Sequence, residues 1–186
     1  MPMATLRERN SLTRYRKERQ RNLLARPGAH NFVVILDQLK AGFNVAKIFR
    51  SAEAFGAAAL HLVAIGPFDP APAKGSLRKV PAVFHEEFAP CYAALKKEGY
   101  AFFRLAADAQ ESLYDVDLPE KSAFIFGHEE FGCRFAKADY PDIADLRIPQ
   151  FGSVQSLNVS IASTVVMYEY VRQRHRSPGS TIASEQ

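Results

Sequence analysis

Three short segments combine polar side chains with glycines in patterns that suit ligand binding or catalysis. The first covers residues 44–56, where the sequence predicts a helix with Asn44 as its N-cap and Gly56 at its end. Apolar residues recur there at helical spacing, and Arg50 lies off that apolar face. A guanidinium keeps its charge in proteins, so Arg50 can orient or stabilise an anionic oxygen. Taken alone, the pattern favours a solvated arginine.

The second segment follows a predicted buried strand and reads Phe-Gly-His-Glu-Glu-Phe-Gly over residues 126–132. Gly127 lets the backbone approach a ligand closely, and we expect any side chain there to occupy the ligand's space. Ligands of open α/β sheets bind beyond the carboxyl ends of the strands, so Glu129 is predicted at the rim of a pocket. Alone, the pattern fits equally an ordinary turn with a solvated carboxylate.

The third segment, residues 148–162, leads into a helix predicted over residues 157–172 with Ser156 as its N-cap. Apolar residues nearly surround this helix, which predicts that it is buried. Asn158 and Ser160 then lie in its first turns and need hydrogen-bond partners. A helix N-terminus with polar side chains suits an anionic or polar ligand, although capping alone would also account for these residues.

Together, and in this order, the three segments resemble the three motifs of the SpoU (TrmH-like) RNA 2'-O-ribose methyltransferases of the SPOUT superfamily. The matching elements are an asparagine and an arginine six apart before Ala-Phe-Gly, then Phe-Gly-x-Glu-x-x-Gly, then Ile-Pro-x-x-Gly-x-x-x-Ser-Leu-Asn-Val-Ser. The resemblance covers roughly residues 30–172. Two positions depart from the family pattern: Gln150 stands where methionine is frequent, and Ala-Gly-Phe precedes Asn44 instead of Pro-Gly.

The resemblance implies a fold, a cofactor and a set of site residues. The fold is an α/β knot, a mostly parallel sheet flanked by helices whose C-terminal segment threads a loop into a trefoil. S-adenosylmethionine is the implied cofactor, bound by Gly127, Ile148, Gln150 and Leu157. Arg50 is the implied catalytic arginine, and the residues that shape the site with it are Asn44, Glu129, Ser156 and Asn158. The implied reaction methylates a ribose 2'-hydroxyl in tRNA or rRNA.

Arg50 is a very poor general base, because a guanidinium stays protonated in proteins. The ribose hydroxyl becomes a good nucleophile only as its proton is removed or shared. We therefore expect Arg50 to orient the hydroxyl and stabilise the developing alkoxide, with an RNA phosphate available to accept the proton.

The elements that must position these residues alternate between strand and helix. Apolar runs predict strands at residues 32–36, 59–65, 100–105, 123–126 and 146–148, and residues 66–81 have the composition of a loop. Helical patterns lie at residues 44–56, 88–97 and 157–172. Such alternation predicts an α/β fold with a mostly parallel sheet.

The chain divides into a basic extension, a methyltransferase domain and a tail. Residues 1–26 hold eight basic and two acidic residues, a net charge of +6, whereas the remaining residues sum to −2. We therefore predict a polar helix within an extension at residues 1–28 that binds RNA through Arg14, Arg16, Lys17, Arg19 and Arg21, or alternatively a solvated helix without a partner. Residues 29–175 form the predicted domain, and the small polar residues 176–186 a disordered tail.

The cysteines and the apolar runs of the sequence limit the kinds of site, cellular location and assembly that we expect. Cys91 and Cys133 are far apart and lack a histidine at zinc spacing, so we expect neither a disulfide framework nor a metal site. These two isolated cysteines fit a reduced, cytoplasmic setting. No apolar run is long enough to span a membrane, so we expect no membrane partner. The apolar helix at residues 157–172 exceeds what one sheet face covers, so we also expect a homodimer.

Two other functions remain as alternatives. A dehydrogenase or another nucleotide enzyme would need a Gly-x-Gly-x-x-Gly after the first strand, and residues 38–44 lack it. A catalytically silent RNA-binding module could keep the methyltransferase fold, but it would be expected to lose Arg50, Ser156 or Asn158, and all three are present.

Overall fold

A computed structural model describes residues 6–175 of the chain, and the tail predicted at residues 176–186 lies outside the described residues. Seven parallel strands form one sheet in the order β3-β2-β1-β6-β4-β7-β5. The strands are β1 Phe32–Asp37, β2 Ala59–Val63, β3 Ala82–His85, β4 Ala101–Leu105, β5 Glu111–Ser112, β6 Ser122–Phe126 and β7 Ile143–Arg147. The predicted α/β class with a parallel sheet is therefore confirmed.

Helices cover both faces of this sheet. They are α1 Leu6–Asn22, α2 Phe43–Ala54, α3 Phe88–Lys97 and α4 Val159–Arg174. Successive residues of β1 point to opposite faces, so Val34 packs in the core with α2 and α4 while Ile35 packs in the core with α3. Because both faces are covered, every residue of β1 is buried, as expected for a continuous apolar strand.

Two predicted helix starts are wrong. Helix α2 has Gly42 as its N-cap rather than Asn44, because the Asn44 side chain bonds to Glu129 instead of to the backbone. Helix α4 begins at Val159 with Asn158 as its N-cap, so Ser156 is not the cap. The Asn158 Oδ1 accepts the backbone N–H of Ser160 at 2.9 Å, which fixes the start there.

Some strand boundaries also differ from prediction. Strand β2 ends at Val63, because Ala64 adopts a left-handed backbone conformation with φ 51° that a strand cannot continue. Strand β7 begins earlier than predicted, at Ile143, where it pairs with Phe102 of β4. Strand β3, which joins the sheet edge beside β2, is absent from the predicted strands.

The basic helix α1 is docked on the domain by two inward-facing residues. Tyr15 is buried and meets the Phe68 ring edge-on, with 5.1 Å between centroids. The Asn22 side chain donates to the carbonyls of Leu77 and Val80 at 2.5 and 2.7 Å and accepts the Ala82 N–H at 3.0 Å. These bonds tie the end of α1 to the segment before β3.

The five basic residues predicted to bind RNA all lie on α1, in different surroundings. Arg19 lies over the Phe84 ring at 4.1 Å, and Arg21 pairs with Glu18 at 3.2 Å. Arg14, Arg16 and Lys17 are exposed. Arg14, Lys17 and Arg21 follow at i, i+3 and i+7 and therefore share one face, pointing away from Tyr15. Docking on the domain and an outward basic face are both features of this helix.

Within residues 6–175, no helix is both long enough and apolar enough to cross a membrane. Cys91 is buried and Cys133 is partly buried, and both are free thiols.

Candidate active site

A cavity of about 300 Å³ opens at the carboxyl ends of β4, β6 and β7, beside the N-terminus of α4. Its volume is at the lower end of the range typical of small-molecule sites, ~300–1,000 Å³. The lining residues are Leu105, Ala106, Ala107, Phe126, Gly127, Glu129, Leu146, Ile148, Gln150, Ser156, Leu157, Asn158, Val159 and Ala162. The floor is apolar and a few polar groups converge on it, which suits an organic ligand with a polar part.

Most residues singled out in the sequence lie around this cavity. All four predicted to bind the cofactor line it, as do three of the five predicted to shape the reaction: Gly127, Ile148, Gln150, Leu157, Glu129, Ser156 and Asn158. Asn44 contacts two of these lining residues from α2. The second and third motifs, which 15 residues separate along the chain, therefore meet at one point.

Hydrogen bonds join all three sequence segments at the cavity rim. The Asn44 Nδ2 donates to Glu129 Oε1 at 2.9 Å, and Asn44 Oδ1 accepts Asn158 Nδ2 at 3.3 Å. Asn158 Oδ1 in turn accepts the Ser160 hydroxyl at 2.6 Å. The chain of contacts orients Glu129 toward the cavity and links its position to the start of α4.

The rim carries a negative charge at neutral pH. Partial burial raises the pKa of the Glu129 carboxyl, but the hydrogen bond from Asn44 and the backbone N–H groups of Glu129 and Lys40 outweigh burial, so this pKa lies below its ordinary value. A carboxylate at the mouth of a largely apolar cavity favours a ligand that carries positive charge.

Gly127 is required by the loop that follows β6 as well as by any ligand. A Cβ atom there would lie 2.4 Å from the backbone nitrogen of Cys133 and from the carbonyl carbon of Gly132. His128 and Gly132 exchange backbone hydrogen bonds of 2.8 and 2.9 Å, which hold the loop against Gly127. The expectation that a side chain here would simply occupy the ligand's space is therefore incomplete, because it would first displace the loop.

One polar atom of the lining has no partner within the described part of the chain. The Gln150 Oε1 is buried and accepts no hydrogen bond there. A buried acceptor without a donor costs free energy, so a ligand that presents an amine or amide N–H would be favoured beside it. Together with the Glu129 carboxylate, Gln150 makes the cavity a fit for a cationic ligand with N–H groups.

Arg50 does not belong to the lining of this cavity. It is exposed on α2, six residues beyond Asn44, which is about 9 Å along the helix axis. Its neighbour Ser51 contacts Thr164 of α4 at 2.7 Å, so the backbone of Arg50 lies beside the α2–α4 contact. Of the predicted catalytic and cofactor-binding residues, Arg50 is the one that the fold of a single chain leaves apart from the rest.

Two parts of the lining lie outside the three motifs: Leu146 in β7 and the segment Leu105–Ala107. This segment begins at the last residue of β4, which lies between β6 and β7 in the sheet. Because the carboxyl ends of adjacent parallel strands meet at one edge, the order of the strands would have revealed this segment. Strand order cannot be obtained from the local pattern.

Comparisons with family models and with curated proteins indicate the same family for this chain. The SpoU rRNA Methylase family matches residues 31–168. The chain is 33% identical over 147 residues to a 23S rRNA (guanosine-2'-O-)-methyltransferase, RlmB, of Xanthomonas axonopodis pv. citri, covering 76% of this chain and 59% of that protein. It is 30% identical over 176 residues to a tRNA (guanosine(18)-2'-O)-methyltransferase of Thermus thermophilus, covering 91% of this chain and 87% of that protein.

A solved structure agrees with these relatives. The SpoU methyltransferase AviRb from Streptomyces viridochromogenes, in complex with AdoMet, superposes with a TM-score of 0.68 at 27% identity, covering 80% of this chain and 62% of that one. The chain spans about three fifths of the length of the first curated relatives that it matches.

Proposed function

Because the chain belongs to the SpoU rRNA methylase family, we propose that it methylates a ribose 2'-hydroxyl in tRNA or rRNA, with S-adenosylmethionine as the cofactor. The observation that carries this proposal is the convergence of the second and third motifs on one cavity, with Asn44 of the first motif bonded to its rim. Transfer of a tritium-labelled methyl group to RNA by the purified chain tests it. Cofactor binding without transfer would support the silent RNA-binding module instead.

The cavity is the proposed cofactor site, with Gly127, Ile148, Gln150 and Leu157 as its binding residues. S-adenosylmethionine supplies an electrophilic methyl group on a positively charged sulfonium. The Glu129 carboxylate favours that positive charge, and the unpartnered Gln150 Oε1 is an acceptor for an N–H group of the cofactor.

A bulky side chain at the mouth of the cavity should block the cofactor without disturbing the loop after β6. Ala107 is exposed and lines the cavity, so the phenyl ring of Ala107→Phe can enter it while the core stays intact. We expect cofactor affinity to fall by about 10-fold or more, the scale of a steric conflict of ~1–3 kcal/mol. Calorimetric titration measures the change, with Ala107→Ser as the matched control. Equal affinity in Ala107→Phe would place the cofactor elsewhere.

The reacting hydroxyl would be held by residues of this chain. Arg50 orients the ribose 2'-hydroxyl and stabilises the alkoxide that develops on it, since a guanidinium donates several hydrogen bonds and keeps its charge. Asn44, Glu129, Ser156 and Asn158 fix the rim against which the ribose lies. The proton passes to an acceptor other than Arg50, with an RNA phosphate as the proposed group.

We propose that the C-terminal part of the domain forms the trefoil knot of the SPOUT superfamily. The support is the likeness to SpoU methyltransferase structures together with the position of the segment from Ile148 to α4, which contributes several residues to the cavity lining. Residues 29–175 form the methyltransferase domain in this proposal, and residues 1–28 an extension of it.

We further propose a homodimer formed through α4. Ile161 and Tyr168 are 54% and 57% exposed, and with Val165 they follow at i, i+4 and i+7 along one face of the helix. Phe55, the C-cap of α2, meets Tyr168 edge-on and widens this apolar surface. A second copy of the chain would cover it. Light scattering at micromolar concentration should give twice the chain mass, and Tyr168→Glu should yield monomers, whereas a parent chain that is already monomeric contradicts the proposal.

Two observations support RNA as the proposed substrate class: the names of the relatives and the positive charge of α1. Those relatives are named for action on 23S rRNA and on tRNA, and the outward face of α1 offers positive charge to a phosphate backbone. We propose a cytoplasmic setting, where those RNAs are found. Mapping 2'-O-methylated nucleotides in total RNA from a strain that lacks the protein would identify the substrate.

A further inference from the structure

Two histidines and a cysteine meet on the face of the sheet that α3 covers. They are His61 on β2, His85 at the end of β3 and Cys91 in α3. The His61 Nδ1 lies 2.9 Å from His85 Nε2 and 3.6 Å from Cys91 Sγ. All three donor atoms fall within 4.8 Å of one another. None of these three residues lines the candidate active site.

The register of the sheet explains why the three side chains converge. His61 pairs with Val83, and Val63 pairs with His85, so the two histidines are two residues apart in register. Side chains two apart in adjacent parallel strands point to the same face, and here that face is covered by α3. Cys91 is fully buried on the inner side of α3 beside Phe88 and Leu95. The imidazole rings lie nearly parallel, with an interplanar angle of 10°.

At neutral pH both imidazoles are neutral, so each ring has one nitrogen lone pair, and a change of tautomer can turn that lone pair toward a cation. Burial and the neighbouring His85 lower the pKa of His61 to about 4, and burial lowers the pKa of His85 as well. Burial and the charge of Asp37 raise the pKa of the Cys91 thiol to about 12. A cation bound here would therefore meet two neutral imidazoles and displace one proton, from the thiol.

We propose that His61 Nδ1, His85 Nε2 and Cys91 Sγ form a binding site for a zinc ion. Imidazole nitrogen and thiolate sulfur are the ligands that zinc prefers, at about 2.0–2.1 Å and 2.3 Å from the metal. In a tetrahedral arrangement such ligands lie ~3.3–3.7 Å from one another. The 2.9 Å and 3.6 Å separations approach this arrangement. A movement of His85 that lengthens the first separation and brings its Nε2, now within 4.8 Å of Cys91 Sγ, to ligand spacing would complete it.

The fourth ligand is water. His85 is only half-buried at the edge of the sheet, so solvent reaches the cluster from that side. The spacing of residues along the chain predicts no metal site, because Cys91 lacks a histidine at the usual zinc spacing. Here the sheet register supplies the histidines from two different strands.

The zinc would cross-link β2, β3 and α3 without touching the cavity. Strand β3 is the edge strand of the sheet and its residues are only partly buried. A metal bond to His85 would fix this strand in place. It would also stabilise the contact of β3 with α1, in which the Ala82 N–H donates to the Asn22 side chain. Zinc should therefore stabilise the fold but leave cofactor affinity unchanged, which separates this proposal from the proposed function.

The test uses the full chain with any purification tag removed. After equilibrium dialysis against Zn²⁺, elemental analysis should find one zinc per parent chain, and Co²⁺ should give thiolate-to-cobalt charge-transfer absorption. His85→Gln and Cys91→Ser should each weaken zinc binding by about 100-fold or more, since loss of a direct ligand costs at least as much as loss of a group behind one. Cys133→Ser, which removes the other thiol, should bind zinc as the parent does.

Melting temperature provides the second measurement. Zinc should raise it for the parent and for Cys133→Ser but not for His85→Gln or Cys91→Ser, because only a ligand that binds the folded state stabilises it. Because His85 is only half-buried, His85→Gln should leave the core intact. Its zinc affinity therefore tests the site even if Cys91→Ser folds poorly. No bound zinc in the parent chain, or equal binding in His85→Gln, would show that the cluster is only a hydrogen-bonded histidine pair.

Discussion

Arg50→Ala is expected to lower the rate of methyl transfer to RNA by about 10³-fold while cofactor affinity stays within about twofold of the parent. The rate should fall because a donor aimed at a developing oxyanion contributes on the order of 10²–10³ in rate, and Arg50 also orients the hydroxyl. Cofactor affinity should hold because Arg50 is exposed on α2 and does not line the cavity. Tritium transfer at saturating RNA and calorimetric titration of the cofactor measure the two quantities separately.

Two further variants make the Arg50 test specific. Arg50→Lys keeps the positive charge but lacks the planar fork of a guanidinium, so it should also fail. Lys47→Ala removes a positive charge one turn earlier on the same helix, where Lys47 is also exposed, and should retain turnover at saturating RNA. A parent rate in Arg50→Ala would exclude Arg50 from the mechanism, and a parent rate in Arg50→Lys would exclude a requirement for the planar guanidinium. A lower rate in Lys47→Ala as well would indicate a general charge effect.

Removing positive charge from the outward face of α1 should weaken RNA binding and reduce its dependence on salt. In the double variant Arg14→Gln/Lys17→Gln, log K against log salt should become less steep by about one unit for each RNA phosphate that the protein no longer neutralises, because fewer counterions are released on binding. Binding across a salt series measures the slope. The methylated nucleotide should not change, since phosphate contacts position a protein without reading sequence.

A matched control removes the same charge from elsewhere. Lys74→Gln/Lys97→Gln changes two exposed lysines outside α1 and should leave the slope close to that of the parent. Equal slopes for the parent and for Arg14→Gln/Lys17→Gln would contradict an RNA-binding role for this face.

Docking of α1 has to be separated from RNA binding, because simple deletion of residues 1–26 would remove both. Asn22→Ala leaves the carbonyls of Leu77 and Val80 and the N–H of Ala82 without their partner. Unsatisfied buried groups cost about 1–3 kcal/mol, so the free energy of unfolding should fall by that amount with no change in salt slope. Leu23→Ala, at a neighbouring residue that is 85% exposed, should leave stability unchanged.

Much of the candidate site was predictable because its residues are local to strong patterns. A buried apolar strand followed by glycine predicted the segment after β6, and a polar start to an apolar helix predicted the segment before α4. Both lie at the cavity. Such patterns arise from backbone periodicity within a few residues of one another, so the sequence carries them directly.

Side-chain roles were less predictable, since they depend on partners from distant segments. Asn44 was expected to cap α2, but its amide is used by Glu129, which is 85 residues away. Ser156 was expected to cap α4, but Asn158 takes that position. In each case, several polar residues near a helix start could act as the cap, and contacts across the fold selected among them.

The sequence by itself therefore determined the alternation of strands and helices, the three motifs and the concentration of positive charge in residues 1–26. Only the tertiary structure decided that α1 docks through Asn22, that Arg50 lies apart from the cavity, and that His61, His85 and Cys91 meet. Those outcomes depend on contacts between residues far apart along the chain. Strand register brings His61 beside His85, and the packing of α1 brings Asn22 to Val80. Local periodicity fixes which face of an element is apolar, but not which other element covers it.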